Sequence, residues 1–348
     1  MIHARPLVLA AAAAALTACA DTNAPLPDPQ EVLLVVNSTA NTLSIVPVED
    51  PSASTTVALG GTTPTPVGVS ARKDVALVPL GLDNAVAVVD LRAAAVARVV
   101  PLPENSGATG STIVDDSIAY VGNPNLNSVS RVNYLTGATS EIPVGQFPQG
   151  LVFTRGLVFV LNGNLVNFAP AGPSWLTVID PTSNARATNG DSIPLTGPGN
   201  AGFADVASDG LLYVMNTGDY GSGEGRLSVV DPLARKELAS HAGFGTGPGN
   251  LAADGDSHLF VSSFSEGVME FDLDSNKVVI GAGHGIPIPG NSAVATDSQG
   301  RLYAIESGPC SGGRPGKAHV LDATLTEVRT ITLGECPSGA AVVQIPPE

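Results

Sequence analysis

The sequence is short of charge: 14% of its 348 residues are Asp, Glu, Lys or Arg, against about a quarter in ordinary soluble chains. So few Lys, Glu and Arg exclude a coiled coil or a helix-dominated fold. Positive charge is scarcest, with 16 Lys+Arg against 32 Asp+Glu and a net charge of −16. The basic residues are scattered singly, Arg72-Lys73 forming the closest group. A nucleic-acid binder needs a clustered basic footprint to release counterions from phosphates, so nucleic acid is excluded as a partner. Electrostatic docking to anionic lipid is excluded on the same ground. No Gly-His or Trp-Asp signature recurs, which excludes WD repeats, and no Gly-x-Ser-x-Gly elbow or phosphate-binding loop appears. The histidines, His3, His241, His258, His284 and His319, show no metal-ligand spacing. What is present is apolar residue, 43% of the chain, enough to exclude disorder over most of its length, and a high count of 39 Gly and 28 Pro.

The chain opens on Arg5 and an apolar run from Leu7 to Leu16. Ten residues are too few to span a bilayer, which takes about 20, so residues 1–18 are expected to be a secretory leader. Leu16-Thr17-Ala18-Cys19 resembles the lipidation box of bacterial lipoproteins, which implies cleavage before Cys19 and acylation (palmitate among the chains) of its thiol. Ala20, not Asp, follows the cysteine, which favours the outer membrane, at its periplasmic face or the cell surface. Residues 19–31, with three Pro and no apolar periodicity, read as a flexible tether. Once Cys19 is assigned to lipid, Cys310 and Cys336 remain as an even pair, and an exported chain is expected to join them as a disulfide.

From residue 32 onward the chain repeats. Apolar pentads recur at 33–37, 75–79, 119–123, 158–162, 212–216, 259–263 and 302–306. Each is followed by a second apolar run (43–47, 86–90, 129–133, 176–180, 227–231, 268–272, 318–322), a more variable third, and a Gly/Pro turn leading to a small-residue strand. Four short strands per unit of about 45 residues predict an all-β, seven-bladed β-propeller of four-stranded blades over residues 32–345. The chain starts without a small-residue strand and ends on an extra one, residues 337–344. The C-terminal strand is therefore expected to complete the first blade and close the ring. Asn37, Asn123, Asn162 and Asn216 end pentads, and Asp90, Asp180, Asp231, Asp272 and Asp322 end second runs, where both are expected to close turns.

Leu212-Tyr213-Val214-Met215-Asn216 followed by Leu227-Ser228-Val229-Val230-Asp231 resembles the YVTN family of β-propeller repeats; Pro79, Ser263 and Glu306 depart from it at the Asn position, and Pro47 and Asn133 at the Asp position. The resemblance implies an exported or cell-surface propeller, in many cases without known activity.

On a propeller, the loops between second and third strands and the linkers into each first strand share one face, here called the top. The longest of these loops hold Asn164, Asn167, Trp175, Asp219, Tyr220, Glu224 and Arg314. The Gly-Asn turns aim Asn200, Asn250 and Asn291 at the channel mouth, with Asp205 just inside. Trp175, Tyr220 and Glu306 complete the candidate ligand-binding set. The function expected is that of a membrane-tethered, non-catalytic binding or scaffold module, monomeric, without cofactor, recognising a protein, glycan or small ligand. The alternative is a metal-dependent, gluconolactonase-like hydrolase, with Glu306, Asn200, Asn250 and Asp205 holding a divalent cation in the channel. The Glu-Gly-Pro-x-Trp opening of gluconolactonase-like propellers is absent.

Overall fold

The computed structural model describes residues 29–347, so the expected leader, Cys19 and most of the tether lie outside the described residues. With strands lettered A to D from the channel outward, B (the pentad) and C (the second run) of each unit are near-continuous runs of Val, Leu, Ile and Ala, as expected for strands covered on both faces. Val32 to Val36, for example, are all buried. Seven antiparallel sheets result, one per blade, plus a small hairpin, Leu165–Val166 with Ala169–Pro170, in the fourth blade's top loop. Seven buried apolar clusters hold the ring, one at each junction between neighbouring sheets. Innermost strands (A) are Pro337–Ile345 in blade 1, Ser70–Arg72 in blade 2 and Ser111–Ile113 in blade 3. Blades 4 to 7 have Pro148–Thr154, Ala201–Val206, Pro248–Ala253 and Asn291–Thr296.

Closure is as expected: Pro337–Ile345 pairs antiparallel with Gln30–Asn37, Gln30 standing opposite Ile345. Cys310 and Cys336 are joined, with Cα atoms 4.4 Å apart. Cys336 lies in the linker between the last strand of blade 7, Glu327–Glu335, and the closing strand, so the bond ties the blade 7 top loop to the joint of the ring. Blade 4 departs from the four-strand expectation. Its outer strand is split into Ala185–Arg186 and Ser192–Pro194, both paired with Trp175–Asp180.

The aspartates close turns on the bottom face. Asp90 and Asp231 each accept two backbone N–H groups of the turn that follows. The Thr182 N–H holds the Asp180 carboxyl below its ordinary range; the hydroxyl and N–H of Ser275 do so for Asp272, and the Thr324 hydroxyl and nearby N–H groups for Asp322. Asp115, Asp209, Asp254 and Asp297 likewise accept backbone N–H groups in the turns between strands A and B. Nine carboxylates thus serve hairpins of one face.

The asparagines behave otherwise than expected. Asn37, Asn123, Asn162 and Asn216 are fully buried, and their amides cross to the next strand instead of closing their own turns. Each Nδ2 donates to a hydroxyl two register positions along strand C: Ser44 (2.9 Å), Ser130 (2.8 Å), Thr177 (2.9 Å) and Ser228 (2.9 Å). A buried amide is tolerable only when bonded, so the two residue types occur together. The other blades change both members or turn the hydroxyl elsewhere. In blade 7 the slots hold Glu306 and His319, 2.9 Å apart. In blade 2 the slot falls on Leu80, one residue beyond the expected Pro79, with Ala87 in the Ser position. In blade 6 Ser263 donates instead to the Thr246 carbonyl.

Candidate functional site

The top end of the channel is shaped by a repeated tripeptide, Pro-x-Gly or a relative of it. Examples are Pro66-Val67-Gly68, Ala108-Thr109-Gly110, Pro148-Gln149-Gly150 and Pro337-Ser338-Gly339. A Cβ on Gly110, Gly150 or Gly339 would strike the backbone carbonyl of Gln149, Gly202 or Val67 on the next blade, so only glycine lets the inner strands approach this closely. The junction into blade 3, which lacks the proline, keeps the glycine that matters.

Around this waist a polar side chain bridges every pair of neighbouring blades. Going round from blade 1, Ser338 donates to the Pro66 carbonyl, Ser70 meets Ser111, and Thr109 donates to the Gln149 carbonyl. Gln149 then reaches Asn200 Oδ1 at 2.9 Å, and Asp205 Oδ2 accepts from the Ala253 N–H at 2.9 Å. Asn250 Oδ1 accepts from the Val294 N–H at 3.0 Å, and Ser292 closes the circle on the Pro337 carbonyl at 2.7 Å.

Three of the residues expected to face a ligand are therefore links of this circle. Asn200 is buried, accepts from Gln149 and donates to the Gly218 carbonyl. The Asp205 carboxyl is enclosed; burial pushes its pKa up against two backbone N–H donors, Ala253 and Val206, that favour the charged form. Asn250 spends its Oδ1 on Val294 but also lines the cavity described below. Asn291 is buried and donates to the Gly267 carbonyl. Trp175 starts strand C of blade 4, its ring packed where a side chain on Gly145 would stand. Glu306 is taken up by His319 and Lys317. Tyr220 stands exposed beside Gly247, and Asp219 closes its own turn on Gly221 and Ser222.

The top loops and the inner strands enclose a cavity of about 210 Å³ at the channel mouth. Its side chains include Val67, Thr109, Gln149, Leu151, Phe203 and Asn250, and none of its lining residues is charged. Gln149 was missed by sequence reasoning. The signal lay in the middle residue of the Pro-x-Gly tripeptide: the flanks are fixed by backbone geometry, and Val67, Thr109 and Gln149 fill the variable slot that lines the mouth.

This arrangement can hold an uncharged group against apolar walls and amide or hydroxyl donors. It offers no general acid–base pair. Among the described residues no three His, Cys, Asp or Glu side chains gather as a cation site. Within the set Glu306, Asn200, Asn250 and Asp205, each member is bound to a different protein partner.

No family model matches the chain, and no curated protein matches it in sequence. Solved structures do. A functionally unknown protein from Desulfotomaculum acetoxidans superposes with a TM-score of 0.67 at 15% identity over 91% of this chain and 99% of that one. A hydrazine synthase from Kuenenia stuttgartiensis gives 0.64 at 16% identity over 81% and 90%. A streptogramin B lyase gives 0.62 at 12% identity over 90% and 91%. Identities this low establish the seven-bladed fold, which neighbours of varied function share, and not an activity.

Proposed function

We propose that this is an exported, YVTN-type propeller lipoprotein, anchored through Cys19 and acting without catalysis as a binding module through its top face. The observation that supports it most is where the chain enters the ring. Gln30 lies at the bottom end of its strand, opposite Ile345, so the tether reaches the propeller on the face opposite the channel mouth. Ten residues, 20–29, extend at most about 35 Å. A lipid on Cys19 would thus hold the bottom face towards the membrane and leave the top loops and the cavity turned outward. Several acyl chains, at about 0.8 kcal/mol per buried CH₂, give a stable anchor. The occupied polar groups of the mouth favour recognition over hydrolysis. The test is to express the full chain with radiolabelled palmitate, with and without globomycin. Label on the wild type, none on Cys19→Ser, and a precursor that accumulates with the inhibitor are expected. Unchanged precursor mobility, or label that persists in Cys19→Ser, would refute the anchor.

A further inference from the structure

The top loops between strands B and C carry a pattern that the cavity does not explain. Five consecutive blades each raise an apolar side chain from this loop: Leu82, Leu126, Phe168, Tyr220 and Phe264, 39–75% exposed. Leu82 follows Gly81 in the blade 2 turn, Leu126 ends the short Pro124–Leu126 helix of blade 3, and the other three tip the loops of blades 4 to 6. The equivalent loops of blades 1 and 7, residues 38–41 and 307–314, present no such residue; the second of them holds the disulfide. Leaving large apolar groups in water at the same place on successive blades has no folding rationale, because none of them reaches a core. Exposed apolar residues recurring in the same loop of five successive blades, on one face, mark an interaction surface. Val67 and Phe203, 42% and 38% exposed, add two apolar side chains in the lining of the cavity.

The charge on the loops of the arc is acidic, and the cation beside it, Arg226 at the top end of strand C in blade 5, is held by Ser240. Asp83 adjoins Leu82, Asp219 and Glu224 flank Tyr220, Glu266 lies two residues after Phe264, and Glu104 sits in the linker between blades 2 and 3. The cation on the top loops is Arg314, in the blade 7 loop outside the arc. An apolar strip bordered by carboxylates complements an apolar strip bordered by Lys and Arg. It repels a second copy of itself, which would set acid against acid. It also suits a sugar poorly, because two of the five tips are leucines, which offer no aromatic ring face for a sugar to stack on. We infer that blades 2 to 6 form a docking arc for a partner protein that inserts apolar side chains from a segment flanked by basic residues. Tyr220, Phe264 and Phe168 are the anchors and the carboxylates steer the approach. This inference rests on the reading of the top face as the binding surface.

The test places a photo-crosslinking p-benzoylphenylalanine at Tyr220, at Phe264 and, on the bottom face, at Leu233, which is 70% exposed. The full chain is irradiated in the cells that export it, and the crosslinked peptides are sequenced by mass spectrometry. Expected are adducts of the same protein at positions 220 and 264, on a segment with apolar residues beside Lys or Arg, and none of that protein at 233. Charge reversal by Glu104→Lys with Glu224→Lys, both exposed, should cut the yield at 220 at least tenfold while the thermal melt stays put. Adducts on glycan, on acidic segments or on a second copy of this chain would overturn the partner class and leave the top face as the binding surface. No adduct at 220 and 264, or equal capture at 233, would overturn both.

Discussion

Opening the bond between Cys310 and Cys336 should loosen the joint of the ring before anything else. The two cysteines are 26 residues apart, and closing such a loop in the unfolded chain is worth about 3.5 kcal/mol in the chain-entropy model. That is a large share of the roughly 5–15 kcal/mol typical of a domain. The position of the bond also says where the loss appears. Cys336 immediately precedes the closing strand, which is otherwise held by Ser292 on the Pro337 carbonyl and by the ladder with Gln30–Asn37. Once Cys336 is free, residues 337–345 peel away as a unit while blades 3 to 5 keep all their contacts. The Cys310→Ser/Cys336→Ser double variant should lose about 2–4 kcal/mol in urea unfolding. Its hydrogen exchange should accelerate first in residues 30–37 and 337–345. A loss under 1 kcal/mol, or exchange that quickens evenly round the ring, would refute the reasoning.

Two further outcomes follow from the side-chain pairs. Asn216→Ala should cost about 1–3 kcal/mol, because the buried Ser228 hydroxyl loses its partner; Asn216→Ala with Ser228→Ala should cost clearly less than the sum of the singles, and additivity in the thermal melts would show that the pair does not act as a unit. Burial alone would lower the His258 pKa from its ordinary 6.5, but the Glu270 hydrogen bond, together with the nearby carboxylates of Asp254, Glu270 and Asp272, outweighs it and holds the imidazole above that value. A pKa raised on folding gives stability that is complete below pH 6.5 and fades as pH rises through the elevated value. Stability measured against pH should therefore decline on the alkaline side of 6.5, and Glu270→Gln should flatten that decline; an unchanged slope would contradict it.

Most of the architecture was legible because it repeats. Seven pentads, their partner runs and the unmatched final strand led to blade number, strand order and closure without reference to any side-chain contact. The turn aspartates were legible for the same reason, since an Asp binds N–H groups two or three residues on, within the reach of local reading. The asparagines were not. Asn216 meets Ser228 only through the diagonal neighbour relation of paired strands, which a scan for turns does not consider. The outer strand of blade 4 was obscured by residues 183–191, rich in Asn, Gly, Asp and Ala, which break the strand around the Arg186–Asp191 ion pair. At the mouth, Asn200, Asn250 and Asp205 looked available because a sequence does not show which group of the same or a neighbouring blade already holds them.

The closing strand also sets an order of events in biogenesis. Gln30–Asn37 is synthesised long before Pro337–Ile345, yet each is the other's neighbour. Until the closing strand is made, blade 1 keeps an apolar edge without its inner partner, an edge of the kind that recruits other chains. A product without Pro337–Ile345 would be not a slightly smaller propeller but an open arc with two sticky ends. Cys336 is made just ahead of the strand it secures, so its bond to Cys310 can fasten the ring only when that strand is at hand.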